Sequence, residues 1–147
     1  MLYFTYTSRL APELIADVAP EAAFKFIAHI PEHGVRFPIN ADGWQGGLPT
    51  AVPDPSSTVW GVVYDVPKGN IDAIEAIEAQ EKRIRTEVET MDRMGQRHQV
   101  VTFLCREGGK DTAPSAEYLE FMLAGSQHWD LPIGWIMGLK QALASVT

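Results

Sequence analysis

The chain has 147 residues, 46% hydrophobic and 21% charged, the size and make-up of one ordinary globular domain able to bury a substantial core. Nineteen acidic against twelve basic side chains leave a net charge of -7, which repels a phosphate backbone and argues against a nucleic-acid partner. No stretch approaches the roughly 18 apolar residues of a membrane span and no basic-then-apolar leader opens the chain; the single cysteine, Cys105, permits no internal disulfide, so a cytoplasmic protein without a membrane partner is expected.

Leu2 to Tyr6 reads as a short aromatic-rich strand, closed by the polar turn Thr7-Ser8-Arg9. Ala22 to Ile30 alternates, with Phe24, Phe26, Ala28 and Ile30 on one face, and reads as a second strand. Glycines, prolines and two aspartates between Gly34 and Ser57 predict a long, functional connection. Val59 to Val66, VWGVVYDV, is the β-branched and aromatic run of a central strand, ended by Pro67-Lys68-Gly69. Asn70 is the expected cap of a short helix to Ala79, with Asp72 in its first turn. Ile84 to Val88 and Gln99 to Cys105 form a predicted strand pair turning through Asp92 and Gly95. Ser115 is the expected N-cap of a helix with Tyr118, Leu119, Met122 and Leu123 inward, stopping near Gly125 to His128. Leu131-Pro132 opens a last helix facing inward through Trp135, Ile136, Leu139 and Leu143.

Familiar catalytic patterns are mostly absent. His29 and His33 have the spacing of a helical metal pair, but Pro31 lies between them and no HExxH or CxxC accompanies them, so no metal is expected. Ser8 lacks the G-x-S-x-G setting of a hydrolase, and Gly46-Gly47 and Gly108-Gly109 match no nucleotide-binding loop. Two features remain: the polar turn after the first strand, whose N–H groups can bind an anion, and Glu78. At about 100° per residue, Glu78 falls between Ile71 and Ile74 on the apolar side of its helix. A carboxylate drawn out of water has its charged form disfavoured, which suits it to take and return protons near neutral pH; a slightly rotated helix would instead leave it beside Glu75 on a solvated rim.

Several segments, in order, resemble the γ-glutamylcyclotransferase-like family over nearly the whole chain. Tyr3-Phe4-Thr5-Tyr6-Thr7-Ser8-Arg9-Leu10 is similar to the opening Y-G-S-N motif, and Ala22-Ala23-Phe24 with Trp44-Gln45-Gly46-Gly47 to the second strand and the W-x-G-G segment. Val59 to Tyr64 resembles the G-V-V-Y strand, and Ile74-Glu75-Ala76-Ile77-Glu78 the L-D-x-x-E segment that carries the catalytic glutamate. Ala113 to Tyr118 and Gly125 through Pro132 are similar to the P-S-x-x-Y and G-A-x-x-x-G-L-P signatures.

The resemblance implies an α+β fold, a small mixed β-barrel with a few flanking helices, as a single domain over 1–147. It implies an enzyme without metal or organic cofactor, monomer or homodimer, whose small-molecule γ-glutamyl substrate is cyclised by its own α-amine to 5-oxoproline, releasing an amine or amino acid. Glu78 would be the general acid/base, and Tyr6, Thr7, Ser8, Arg9, Leu10 and Tyr118 would bind substrate. Thr7 and Arg9 depart from the family's glycine and asparagine. Threonine is a poor occupant of a positive-φ position, so either the turn differs or that φ was never needed. Arg9 is expected at the cavity mouth on a substrate carboxylate, with filling of the pocket or pairing with Glu78 as alternatives. A relative that binds a carboxylate or amine without cyclising it, or an interaction module with a vestigial cavity, also remains open.

Overall fold

The computed structural model describes residues 1–41 and 43–147. Five strands close into a barrel: β1 (Leu2–Thr5), β2 (Ala23–Ile39), β3 (Leu48–Asp65), β4 (Ile84–Asp92) and β5 (Arg97–Leu104), in the spatial order β1-β3-β2-β4-β5. All neighbours are antiparallel except the closing pair, where Tyr3 of β1 lies parallel to Val101 of β5. Four helices pack around it: α1 (Pro12–Val18), α2 (Lys68–Gln80), α3 (Ala116–His128) and α4 (Ile133–Val146). The expected mixed barrel with flanking helices is the fold observed.

The β-branched run of β3 is central, as its composition requires. Val59, Val62 and Val63 are fully buried, and β3 pairs with β1 on one side and β2 on the other. Gly61 lies so close to β1 that a Cβ there would stand 2.2 Å from the carbonyl oxygen of Thr5.

The segment from Gly34 to Ser57 corrects the expectation of a long connection. Most of it is strand: β2 and β3 continue past the barrel as a two-stranded arm, paired from His33–Pro53 to Ile39–Leu48, and only 40–47 connects them. Asp42, one of the two aspartates in that segment, lies outside the described residues. Prolines are tolerated because β2 meets β4 only at Ala28 and His29. Along the arm each strand therefore has one pairing edge, and the prolines cluster near register shifts after Pro31 and Arg36.

Two further expectations need correction. Asn70 does not cap α2: the helix already begins at Lys68 after Pro67, and the Asn70 side-chain oxygen accepts instead from the Glu21 N–H. Asp72 accordingly lies beyond the first turn and pairs with Arg85 at 3.6 Å. Helix α1, not anticipated, carries Pro at its first position and Glu13 in its first turn, both ordinary helix-start signals. Ser115 does cap α3, accepting from the Tyr118 N–H at 3.1 Å. The histidine spacing is not helical, since His29 and His33 lie on β2 either side of a register shift. Among the described residues, no His, Cys, Asp and Glu cluster able to hold a metal occurs, and no helix is long and apolar enough to cross a membrane.

Candidate functional site

The chain leaves β1 through Thr7 into a single 3-10 turn, Ser8–Leu10. Thr7 has φ -100, so its position never calls on the left-handed region and a β-branched residue fits it. Helix α3 clamps this turn in place. Gly125 packs against it so tightly that a Cβ would lie 2.2 Å from the Leu10 carbonyl carbon; the Trp129 indole donates to the Leu10 carbonyl at 3.0 Å, and the Ser8 N–H donates to the Tyr118 hydroxyl at 3.3 Å. Tyr6 is spent internally, donating its hydroxyl to the Phe103 carbonyl at 2.8 Å. Burial pushes the phenols of Tyr3 and Tyr6 well above their usual range, so both stay protonated.

Opposite the turn, α2 presents Glu78 at 1% exposure, beside the fully buried Ile71 and Ile74, so the helical phase read from the sequence holds. The space between turn and glutamate is occupied by the Arg9 guanidinium. Its Nη1 donates to Glu78 Oε1 at 2.6 Å and its Nη2 to Glu81 Oε2 at 3.0 Å. A second arginine closes the ring: Arg83 Nη1 donates to Glu78 Oε2 at 2.9 Å and to Glu81 Oε1 at 2.7 Å, while its Nε donates to the Pro49 carbonyl at 2.7 Å. Two guanidiniums and two carboxylates thus balance in formal charge with every side chain buried. Burial works to lower the pKa of Arg9 and of Arg83, but attraction from Glu78 and its neighbours outweighs it in both and holds them above the usual range. Arg83 Nη2 is buried without a protein partner.

Glu81 and Arg83 were not among the residues anticipated for the site. Their placement follows from how α2 ends: Lys82 takes a left-handed conformation with φ 62, its N–H donates to the Ala79 carbonyl, and the Arg83 N–H returns to the Glu78 carbonyl at 2.9 Å. This reversal resembles the usual glycine-terminated helix end and aims Arg83 back across the base of the helix. The i, i+3 spacing of Glu78 and Glu81 was the one available sequence signal.

Outside the ring lies an open cavity of about 550 Å³ whose wall includes Ser8, Arg9, Asp17, Trp44 and Glu81. Glu78 does not reach that wall and stands behind Arg9 and Glu81. The expectation that Arg9 waits at the cavity mouth for a ligand carboxylate is therefore corrected: both terminal nitrogens already hold internal carboxylates. Tyr118 is fully buried beneath the turn, with the Trp44 ring edge-on at 4.8 Å. A second groove, of about 410 Å³, runs along α4 past Trp60 and Trp135 and carries no ionisable side chain.

Comparison with known proteins converges on one group. Residues 58–139 match the model of the AIG2-like family. A human Gamma-glutamylcyclotransferase is 28% identical over 146 residues, spanning 95% of this chain and 77% of the relative, and the mouse protein of that name is 28% identical over 138 residues, 89% and 72%. The solved structure of a Gamma-glutamyl cyclotransferase superposes with a TM-score of 0.89 at 26% identity, covering 95% of this chain and 86% of that one. That of an uncharacterized protein from Homo sapiens gives 0.87 at 28% identity, covering 95% and 85%. The family match spans more than half of the chain, and the same barrel recurs in a cyclotransferase structure: the chain belongs to the AIG2-like family, among the γ-glutamylcyclotransferase-like proteins.

Proposed function

We propose that the protein is a γ-glutamylcyclotransferase-type enzyme acting on a small γ-glutamyl amide, with Glu78 as general acid/base. The observation that carries this reading is the buried Glu78 carboxylate held against the turn that follows β1, in a chain whose similar proteins are named for this activity. In the reaction the substrate's α-amine attacks its own γ-carbonyl carbon, the amide C–N bond breaks, and 5-oxoproline leaves with the freed amine. Glu78 takes the proton from the attacking ammonium and returns it to the leaving nitrogen, so protons balance without any co-reactant.

Arg9 and Glu81 stand between Glu78 and the open cavity, and two features of the geometry nonetheless support the reading. A carboxylate offers about four acceptor sites, and Glu78 uses one on Oε1 for Arg9 and one on Oε2 for Arg83, which leaves acceptor capacity on both oxygens. The N–H groups of Ser8 and Arg9 are held only by long bonds, 3.3 Å to the Tyr118 hydroxyl and 3.4 Å to Thr7 Oγ1. Weakly engaged donors of this kind can turn to a developing oxyanion on the substrate. Arg9 keeps the glutamate oriented, and Tyr118 sets the turn. Thr7, Leu10 and Tyr6 act through the shape of the turn, their side chains being buried.

Mass-spectrometric detection of 5-oxoproline across a panel of γ-glutamyl compounds tests the reaction, and Glu78→Gln tests the base. The variant should lose about 10²- to 10⁴-fold in rate, the usual contribution of a positioned proton carrier. Unchanged 5-oxoproline release by a folded variant would assign the proton to another group.

The 2.6 Å bond from Arg9 to Glu78 favours a second reading, a relative that binds an amine or carboxylate but does not cyclise it. On that reading wild type releases no 5-oxoproline from any member of the panel and still binds some of them.

A further inference from the structure

The cavity outside the ring carries three ionisable groups on its wall, Arg9, Asp17 and Glu81. Arg9 and Glu81 are already balanced, since both belong to the neutral ring with Glu78 and Arg83. Asp17, on the last turn of α1, is exposed and pairs with no basic group among the described residues. The rest of the wall is Ser8 and apolar side chains, with the Trp44 ring contributing an aromatic surface. Among the described residues, what the ligand meets beyond the ring is therefore one uncompensated negative charge on a wall that also carries an indole.

We propose that the cavity selects γ-glutamyl amides whose amine portion ends in a positive charge and bears no carboxylate, with Asp17 as the specificity-determining residue and Trp44 as the aromatic wall. This rests on the reading of the site as a γ-glutamyl pocket. A cation gains from Asp17 and from the indole face together. A carboxylate at the same place meets Asp17 as a like charge, and among the described residues the only cation on the wall is Arg9. To bind it, Arg9 would have to release Glu78 or Glu81, leaving a buried carboxylate short of a partner. The overall charge of -7 acts in the same direction, drawing cations toward the surface. A volume of about 550 Å³ is ample for such a molecule.

The test compares three γ-glutamyl amides of equal chain length, ending in an ammonium, a methyl or a carboxylate group. Their binding is measured by calorimetry to wild type, Asp17→Asn and Asp17→Lys, each first shown to melt cooperatively. The ammonium-ended amide should bind wild type about tenfold more tightly than the carboxylate-ended one, the sum of an attraction gained and a repulsion avoided at a partly exposed charge. The ratio should fall toward one in Asp17→Asn and invert in Asp17→Lys. Equal or tighter carboxylate binding, a preference that survives Asp17→Asn, or no binding of any of the three at millimolar concentration would overturn the proposal. 5-Oxoproline measured in the same samples separates this from the reaction itself. If the ranking holds without cyclisation, the proposed activity fails and the specificity stands; if cyclisation proceeds without the ranking, the reverse is true.

Discussion

Arg83→Met measures what the buried ring contributes to the fold. Arg83 is 1% exposed and makes three side-chain hydrogen bonds, to Pro49, Glu78 and Glu81, two of them ion pairs. Methionine fills much of the same space, so the loss is chiefly polar: a buried carbonyl without its donor and two carboxylates left to share one arginine. Charge-assisted bonds contribute about 1.5 to 3 kcal/mol each, but both glutamates keep Arg9, so the losses do not add fully. Breaking a buried pair from one side typically costs about 3 to 5 kcal/mol, and that is the expected effect here, a large part of the roughly 5 to 15 kcal/mol that holds a domain together. Urea denaturation should show a strongly lowered midpoint with an unchanged slope. Arg83→Lys should recover only part of the loss, because one ammonium cannot reproduce a fork that meets Pro49 through Nε and the glutamates through Nη1. A loss below about 1 kcal/mol for Arg83→Met would refute the reasoning, since it would mean that the ring contributes no more than an exposed pair.

Two further predictions follow from the packing. Gly125→Ala places a Cβ 2.2 Å from the Leu10 backbone, so it should cost about 1 to 3 kcal/mol or more in thermal or urea unfolding and depress any 5-oxoproline release through the displaced turn; a variant as stable as wild type would show that α3 does not fix the turn. His29, half-buried against Trp60 with its Nδ1 unpartnered, is held by burial below its usual pKa near 6.5. Its unfolded form therefore binds a proton first: stability should be unaffected above about pH 6.5 and should fall as pH drops from there toward the folded pKa, a slope that His29→Gln removes. An NMR titration of the His29 ring at or above 6.5 would contradict this.

Most of the barrel's strands and helices were legible in the sequence because their signals are local, while the barrel itself was implied by the family resemblance. VWGVVYDV reads as a buried strand, Ser115 as a cap, and Ile71, Ile74 and Glu78 as one helical face, and each holds in the structure. The arm formed by β2 and β3 was not legible, because its prolines and glycines carry the signature of a loop. Only the three-dimensional fact that β2 meets β4 at two positions makes those prolines harmless there. The site was half legible for a related reason. Periodicity can place a carboxylate on an apolar face, but it cannot say which cations meet it, and here one comes from the turn after β1 and the other from a chain reversal at Lys82, where a lysine stands in a glycine's conformation.

The ring also explains why Arg9 is better understood with its partners than as a single departure from the family's asparagine. Alone in the interior, a guanidinium facing one glutamate would leave donors unsatisfied and a carboxylate half-neutralised. With Glu81 and Arg83 added, each carboxylate oxygen of both glutamates meets one guanidinium and formal charge closes to zero. The four residues are therefore interdependent. Replacing Arg9 by asparagine restores the family's residue at one position while leaving two buried carboxylates on a single arginine, so it must weaken the site electrostatically even where it opens space. A neutral set, with Arg9 and one glutamate replaced together, is the change that the charge balance permits. The physical unit of this site is the pair of helix-end carboxylates with their two arginines, and Glu78 is held within it.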